Sequence, residues 1–323
     1  MTTILITGGA GFIGSHLTER LLESGESVVN IDNFNDYYDP AVKRRNIQAV
    51  LENPSYTLCE GDLRDRGFIG NVLDAHRPDL VIHLAAMAGV RPSLEDPILY
   101  QEVNIIGTNN LLEEMNARNM KKLLFASSSS VYGDCPRIPF SESDPDIHPI
   151  SPYGATKLSG EHLCYVYHQL FRMDILCFRF FTVYGPRQRP DMAIHKFTVL
   201  IDTGEPIRVF HEGKSSRDYT YIDDIIQGVL GGVEYVMSSS SPVFEIFNLG
   251  EATRVPLIEL IGHIEAGLGK SARTIMMPGQ PGDVQTTYAD IEKARRLLGY
   301  SPEMPIETGI DRFMTWYRTE RRM

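Results

Sequence analysis

Thr3-Ile4-Leu5-Ile6-Thr7-Gly8-Gly9-Ala10-Gly11-Phe12-Ile13-Gly14 gives a short β-rich run, a glycine-rich turn and the start of a helix with Ile13, Leu17 and Leu21 on one side. Gly8 suits the tight turn, Gly11 lets the backbone approach a pyrophosphate, and Gly14 allows close packing of the helix on a sheet. A glycine string alone is a weak signal. Between a strand and a helix it predicts a dinucleotide site along Gly8, Gly11, Phe12, Ile13 and Gly14, with an ordinary tight turn as the alternative.

Outward from this loop, β-rich runs alternate with amphipathic helical stretches: Ile4 to Thr7, Ser27 to Asp32, Tyr56 to Glu60, Leu80 to Ala85, Lys122 to Ser127 and Asp174 to Phe180. Six such runs predict an α/β fold, a doubly wound parallel sheet of the Rossmann type. After Phe181 the alternation loosens into Pro- and Gly-rich stretches with helices expected at Asp223–Met237, Pro256–Gly267, Asp290–Leu298 and Pro305–Tyr317. We therefore expect a dinucleotide-binding domain over 1–180, joined by about 222–250, and a smaller mixed α/β substrate-binding domain mainly over 181–323. The run Val243 to Leu249 is expected to cross back to the sheet, and Ser238 to Pro242 to form a loop.

The 323 residues are 42% hydrophobic and carry a formal net charge of -11, with 31 Lys and Arg against 42 Asp and Glu. A chain this acidic lacks the basic field that nucleic acid or an anionic membrane surface requires, so neither is an expected partner. The first residues lead straight into an apolar run without the pattern of a secretory leader, and no apolar run approaches the roughly 18 residues of a spanning helix. Cys59, Cys135, Cys164 and Cys177 lie far apart, without metal-ligand spacing. A reduced, cytoplasmic chain with no metal is expected.

Asp32 ends the second run at the spacing where a carboxylate accepts hydrogen bonds from an adenosine ribose. It would repel a 2′-phosphate, favouring NAD over NADP; a loop-capping aspartate is the alternative. Asp62 and Leu63 follow the third run and are candidates for adenine, against the reading of a turn aspartate. Leu84, Ala85 and Ala86 end the fourth run and are expected on the same cofactor.

Ser151-Pro152-Tyr153-Gly154-Ala155-Thr156-Lys157 reads as a helix start, with Ser151 as N-cap and Pro152 in the first helical position. Tyr153 and Lys157 then share one face. A nearby ammonium, the helix N-terminus and an oxidised nicotinamide would each favour the phenolate, so Tyr153 could serve as base near neutrality. Ser127 to Ser130 lie where ligands collect at the carboxyl end of a parallel sheet, and one hydroxyl there could relay a proton to Tyr153.

Together these stretches resemble a known family, the extended short-chain dehydrogenase/reductases that act on nucleotide sugars, and within it the UDP-glucuronate 4-epimerases. The resemblance covers essentially the whole chain and rests on TGGAGFIG at 7–14, NDYYD at 35–39, HLAAMAGVR at 83–91, SSSSVYG at 127–133, YGATK at 153–157, FRFFTVYGPRQRPDMA at 178–193, RDYTYIDD at 217–224 and QPGDVQTTYAD at 280–290. NDYYD, AGVR and GPRQRPDMA are the stretches similar to the glucuronate epimerases in particular.

The resemblance implies Ser128 as the catalytic hydroxyl beside Tyr153 and Lys157. Ser129 and Ser130 stand where similar 4,6-dehydratases carry an Asp-Glu pair, and Ser130 where glucuronate decarboxylases carry Glu. The implied reaction is redox-neutral: C4 of UDP-glucuronate is oxidised by bound NAD, the 4-keto sugar turns over, and reduction on its other face gives UDP-galacturonate. Because a β-keto acid loses carbon dioxide readily, the sugar carboxylate must be restrained. Thr182 is the first candidate for that contact, with Ser129 and Arg187 after it; an outer, structural arginine is the alternative for Arg187.

Arg217 is the expected diphosphate partner, since a guanidinium forks onto phosphate oxygens; an ion pair with Asp218 or Asp223 is the alternative. Arg208, with Val209 and Phe210, is expected near the uridine and Asp283 on its ribose. Two residues depart from the family pattern: Gln280 where many relatives have Arg, and Met87 where many glucuronate epimerases have Gln. The family also implies a homodimer through helices near 95–118 and 153–171. Competing readings are a 4-epimerase of UDP-glucose/UDP-galactose or of the N-acetylhexosamine analogues, a decarboxylase, and a silent NAD-binding scaffold.

Overall fold

The computed structural model describes residues 1–279, 282 and 284–320. Six strands alternate with helices: β1 (Thr3–Thr7), β2 (Ser27–Asp32), β3 (Tyr56–Glu60), β4 (Leu80–His83), β5 (Lys122–Ser128) and β6 (Asp174–Phe180). Four short strands follow, β7 (Thr182–Tyr184), β8 (Ile207–Val209), β9 (Ser216–Arg217) and β10 (Tyr219–Tyr221), then β11 (Phe244–Leu249), β12 (Val255–Pro256) and β13 (Thr274–Met276).

The central sheet has seven strands in the order β11-β6-β5-β4-β1-β2-β3, paired in parallel throughout. All six β-rich runs lie in it, and 243–249 returns as the seventh. β4 stops at His83 rather than reaching Ala85, because Leu84 N and Ala85 N turn to Thr7, at its carbonyl and its hydroxyl respectively.

Both faces of the sheet are covered, which explains strands that read as continuous apolar runs. Ile4, Ile6, Val28, Ile82 and Leu124 join one buried cluster with Leu17, Leu21, Ile222 and Val229 from helices Phe12–Glu23 and Ile222–Ser238. Leu5, Val29, Val81, Leu123 and Phe125 join the other, with Ile69, Leu111 and Cys164 from helices Arg66–His76, Thr108–Ala117 and Pro152–Phe171. Each fully buried aliphatic side chain contributes about 1.5–3 kcal/mol.

The first cluster continues without a break into the C-terminal part through Val183, Ile194, Leu260, Ile310 and Phe313. Helices Leu257–Leu268, Glu292–Leu298 and Ile306–Glu320 lie close to the expected positions. Strand order turns at β1, which lies between β2 and β4. In open parallel sheets that switch is where a crevice forms beyond the strand ends. Among the described residues no helix is long and apolar enough to cross a membrane, and no group of three or more His, Cys, Asp or Glu could hold a metal ion.

Candidate active site

At the crevice the glycine loop is fixed by close backbone approach. Gly8 has a φ of 72°, and a Cβ there would sit 2.8 Å from Ala85 N; one on Gly14 would sit 2.3 Å from Gly8 O. The following helix starts at Gly11 with no side chain capping its first amides and no acidic residue in its first turn. Such an end fits a dinucleotide diphosphate, through amide donors and the positive end of the helix dipole. Phe12 points into the core, while Ile13 and residues 84–86 remain half-buried around the loop.

Asp32 uses one oxygen on Ala10 N at 3.1 Å and the other on Phe34 N at 2.9 Å. It therefore does cap the loop, as the alternative reading held, yet a carboxylate has lone pairs left for ribose hydroxyls. Lys43, which the sequence analysis did not single out, lies 3.7 Å from Asp32 and bonds the Asn35 side chain at 3.1 Å. Burial lowers its pKa and the Asp32 charge opposes that. Its sequence signal was its place in the helix Pro40–Asn46, just after NDYYD. Asp62 accepts from Arg64 N at 2.8 Å and from the Arg64 and Asn33 side chains, which pull its carboxyl down to about 2. That is the geometry of a turn aspartate, and the adjacent Leu63 is buried.

The helix Pro152–Phe171 begins as predicted: the Ser151 hydroxyl accepts from Gly154 N at 3.1 Å and Pro152 occupies the first position. Tyr153 is pinned by its amide on Ser93 Oγ at 3.1 Å and by an edge contact with the Tyr100 ring. The Ser128 side chain acts on the Tyr153 phenol, lowering its pKa against the effect of burial. One turn along, Lys157 is buried and donates to Ala126 O at 2.7 Å. Burial pushes the Lys157 ammonium down to about 8. Burial raises Tyr153, and the groups opposing it in this structure are Ser128 and the Arg189 guanidinium. The charge that opposes burial at Tyr153 thus comes from a distant segment, at Arg189, and not from Lys157 as the sequence suggested.

The four serines divide their work. Ser127 bonds Glu161, which also grips Arg179 through two contacts of 2.9 and 2.8 Å. Ser128 caps the turn that follows β5, accepting from Ser130 N at 3.1 Å. Ser129 stays half-buried in that turn. Beneath the helix, Glu102–Gly107 forms a π-helical turn that aims buried Asn104 at Met87 and Thr156. Asn104 Oδ1 accepts from Met87 N at 2.8 Å, and its amide donates to Met87 O at 2.9 Å and Thr156 Oγ1 at 3.0 Å. No sequence periodicity announces a π turn.

On the opposite wall, Thr182 opens β7 half-buried, with its amide on Asp218 O at 3.0 Å. Arg187 does not meet that wall. It reaches back to Glu19 of the first helix at 2.7 Å, with φ 64°, which supports the structural alternative. Arg189 takes the inner position: it binds Asp191 at 3.0 and 2.8 Å, lies 5.4 Å from the Tyr37 ring and acts on Tyr153. The reason is local. Gln188 between them is buried and donates to Val183 O at 3.1 Å, so the two arginines leave the segment in different directions.

Arg217 Nη1 donates to Ser216 O and Gln285 O, both at 3.0 Å. Asp223 meets Arg312, and Asp218 is taken up by backbone amides. Arg208 is exposed on β8 between buried Ile207 and Val209. Asp283 and Gln280 lie outside the described residues.

The family model for GDP-mannose 4,6 dehydratase matches residues 5–313. UDP-glucuronate 4-epimerase 3 of Arabidopsis thaliana is 41% identical over 98% of this chain and 76% of that protein. The crystal structure of UDP-glucuronic acid 4-epimerase from Bacillus cereus, in complex with UDP-glucuronic acid and NAD, is 39% identical with a TM-score of 0.92 over 98% of this chain and 99% of that one. A UDP-glucose 4-epimerase from Thermotoga maritima, solved with UDP-glucose, is more distant at 31% identity and a TM-score of 0.88, over 99% of both chains. With a glycine loop, a Ser-Tyr-Lys set and these matches, the chain belongs to the extended short-chain dehydrogenase/reductase family of epimerases and dehydratases, where it stands with the UDP-glucuronate 4-epimerases.

Proposed function

We propose that the protein interconverts UDP-glucuronate and UDP-galacturonate by inverting C4 through a transient 4-keto sugar. The observation that carries this is the Ser128-Tyr153-Lys157 arrangement beside the glycine loop, in a chain with serines where dehydratases and decarboxylases need acids. NAD, bound along Gly8, Gly11, Phe12, Ile13 and Gly14 and at Asp32, supplies the reversible oxidant for C4 and is regenerated in each cycle.

Tyr153 takes the proton of the 4-hydroxyl and later returns it. Ser128 holds the same oxygen and keeps it in line with the phenol. Lys157, charged and anchored on Ala126 O, favours the phenolate as the proton leaves. Arg217 holds the diphosphate through both halves of the reaction, so remote binding energy retains the keto sugar while its ring turns.

Thr182, Ser129 and Arg189 restrain the carboxylate, keeping its bond to C5 away from alignment with the ketone. Arg189 replaces Arg187 in this role because its charge acts on Tyr153, whereas Arg187 is engaged by Glu19. Apolar side chains of Ile98, Ile106, Val166 and Leu170 are exposed on the helices expected to pair in a homodimer. Four free thiols suit a reducing, cytoplasmic setting.

The purified protein, incubated with UDP-glucuronate and no added cofactor, should give UDP-galacturonate by anion-exchange chromatography. A UDP-pentose with release of carbon dioxide, or turnover of UDP-glucose alone, would sink the assignment. Light scattering at the monomer mass would remove the dimer.

A further inference from the structure

Asp218 follows Arg217 directly, is fully buried, and pairs with no cation in the hydrogen bonds the structure records for its carboxylate. Its Oδ1 accepts from Glu251 N at 2.7 Å and Thr220 Oγ1 at 3.3 Å; its Oδ2 accepts from Ala252 N and Ala289 N, each at 3.1 Å. Its own amide donates to Thr287 Oγ1 at 3.2 Å, and its carbonyl receives Thr182 N at 3.0 Å.

Gly250 makes room for it. A Cβ there would stand 3.1 and 3.2 Å from the two carboxylate oxygens and 2.6 Å from the Ala289 side chain. One buried residue therefore joins the strand that carries Thr182, the strand that carries Arg217, the turn after β11 and the segment 287–289. The segment 285–287 also lies against Arg217, through Gln285 O on its guanidinium and the Ser216–Thr287 backbone bond.

We propose that Asp218 is a positioning residue that sets the phosphate-facing Arg217 in register with the sugar-facing Thr182. It touches neither ligand. Its four acceptor bonds decide how far Arg217 stands from the wall against which the sugar turns. A buried anion whose recorded partners are all neutral donors is a costly choice, and its backbone donors are what make it tolerable. That cost is consistent with burial raising the Asp218 carboxyl to about 6, with the amide and hydroxyl donors opposing the shift.

The proposal rests on the nucleotide-sugar reading above, and the test separates the two. Asp218→Asn keeps the shape but turns an amide NH2 toward backbone donors; Thr220→Val removes one donor and leaves the carboxylate. UDP affinity by calorimetry, and KM and kcat for UDP-glucuronate, are measured on holoprotein whose NAD content is checked spectroscopically.

We expect Asp218→Asn to weaken UDP binding and raise KM by about tenfold or more, with NAD content intact and kcat changed less than about threefold. Thr220→Val should shift both in the same direction by about two- to fivefold, and it decides the matter if Asp218→Asn does not fold. UDP affinity within experimental error of wild type in both variants, or in Thr220→Val alone if Asp218→Asn does not fold, overturns the proposal. So does a fall in kcat with KM unchanged. Wild-type protein that binds no UDP overturns the nucleotide-sugar reading itself.

Discussion

On the dinucleotide side of the cleft, the decisive contacts come from backbone. Gly8 lies against Ala85, Gly14 against Gly8 O, and a helix end presents uncapped amides. On the side proposed for the sugar, side chains would do that work. Thr182, Arg189 and Arg217 come from separate segments, set in place by buried Gln188 and Asp218. The first wall centres on one continuous loop, 8–14, and leaves no room for a Cβ at Gly8 or Gly14. The second is assembled over long sequence separations and depends on a few buried hydrogen-bonding side chains. One family can therefore keep its cofactor chemistry while changing the sugar it admits.

Tyr153 stands between the walls, and Tyr153→Phe should have the largest effect. We expect kcat to drop by about 10²–10⁴-fold with NAD still bound, read by single-turnover chromatography. A variant that keeps more than a tenth of wild-type turnover breaks the acid/base assignment. The sugar wall is sharpened by comparing its two arginines. Arg189→Ala should lower kcat/KM for UDP-glucuronate by about 10–100-fold. Arg187→Ala should lose the Glu19 pair, about 1 kcal/mol or less, with little change in kcat/KM. The reverse ranking would return Arg187 to the sugar.

Gly14→Ala tests the backbone wall. Its methyl would meet Gly8 O, forcing a shift that costs about 1–3 kcal/mol. NAD content and melting temperature should fall together, whereas UDP affinity measured with NAD in excess should hold. The smallest effect concerns Glu251, raised to about 8 by burial beside Asp224 and Asp218. A carboxyl with a folded pKa above its unfolded one stabilises the fold at low pH and loses that contribution as pH rises through the folded value. Wild-type melting temperature should therefore decline between about pH 5 and 8 by roughly 2–4 °C more than that of Glu251→Gln. Parallel melting curves would refute a protonated Glu251.

The same contrast explains what the sequence disclosed. The strand runs, the glycine loop, the Ser151 cap and the Tyr153-Lys157 spacing are local patterns, and the fold reproduces them. Asp32 and Asp62 were ambiguous because a short carboxylate can serve its own turn as readily as a ligand, and in this structure both serve turns. The sequence pointed to Arg187 and passed over Arg189, since nothing in the local pattern shows that Arg187 turns back to Glu19 while the charge of Arg189 acts on the phenol. Asn104 was invisible for another reason: a π turn shifts the helical phase, and a 3.6-residue pattern cannot predict where that side chain will point. Lys43 and Asp218 look like ordinary surface charges until the fold buries them.

The apolar cluster that runs unbroken from Leu124 and Phe178 to Leu260 and Phe313 has a mechanical consequence. A cleft between two lobes commonly opens by hinging where the lobes meet through a small, polar interface. Here hinging would expose fully buried aromatic and aliphatic side chains to water. The continuous cluster therefore sets a free-energy cost against opening the cleft by such a hinge.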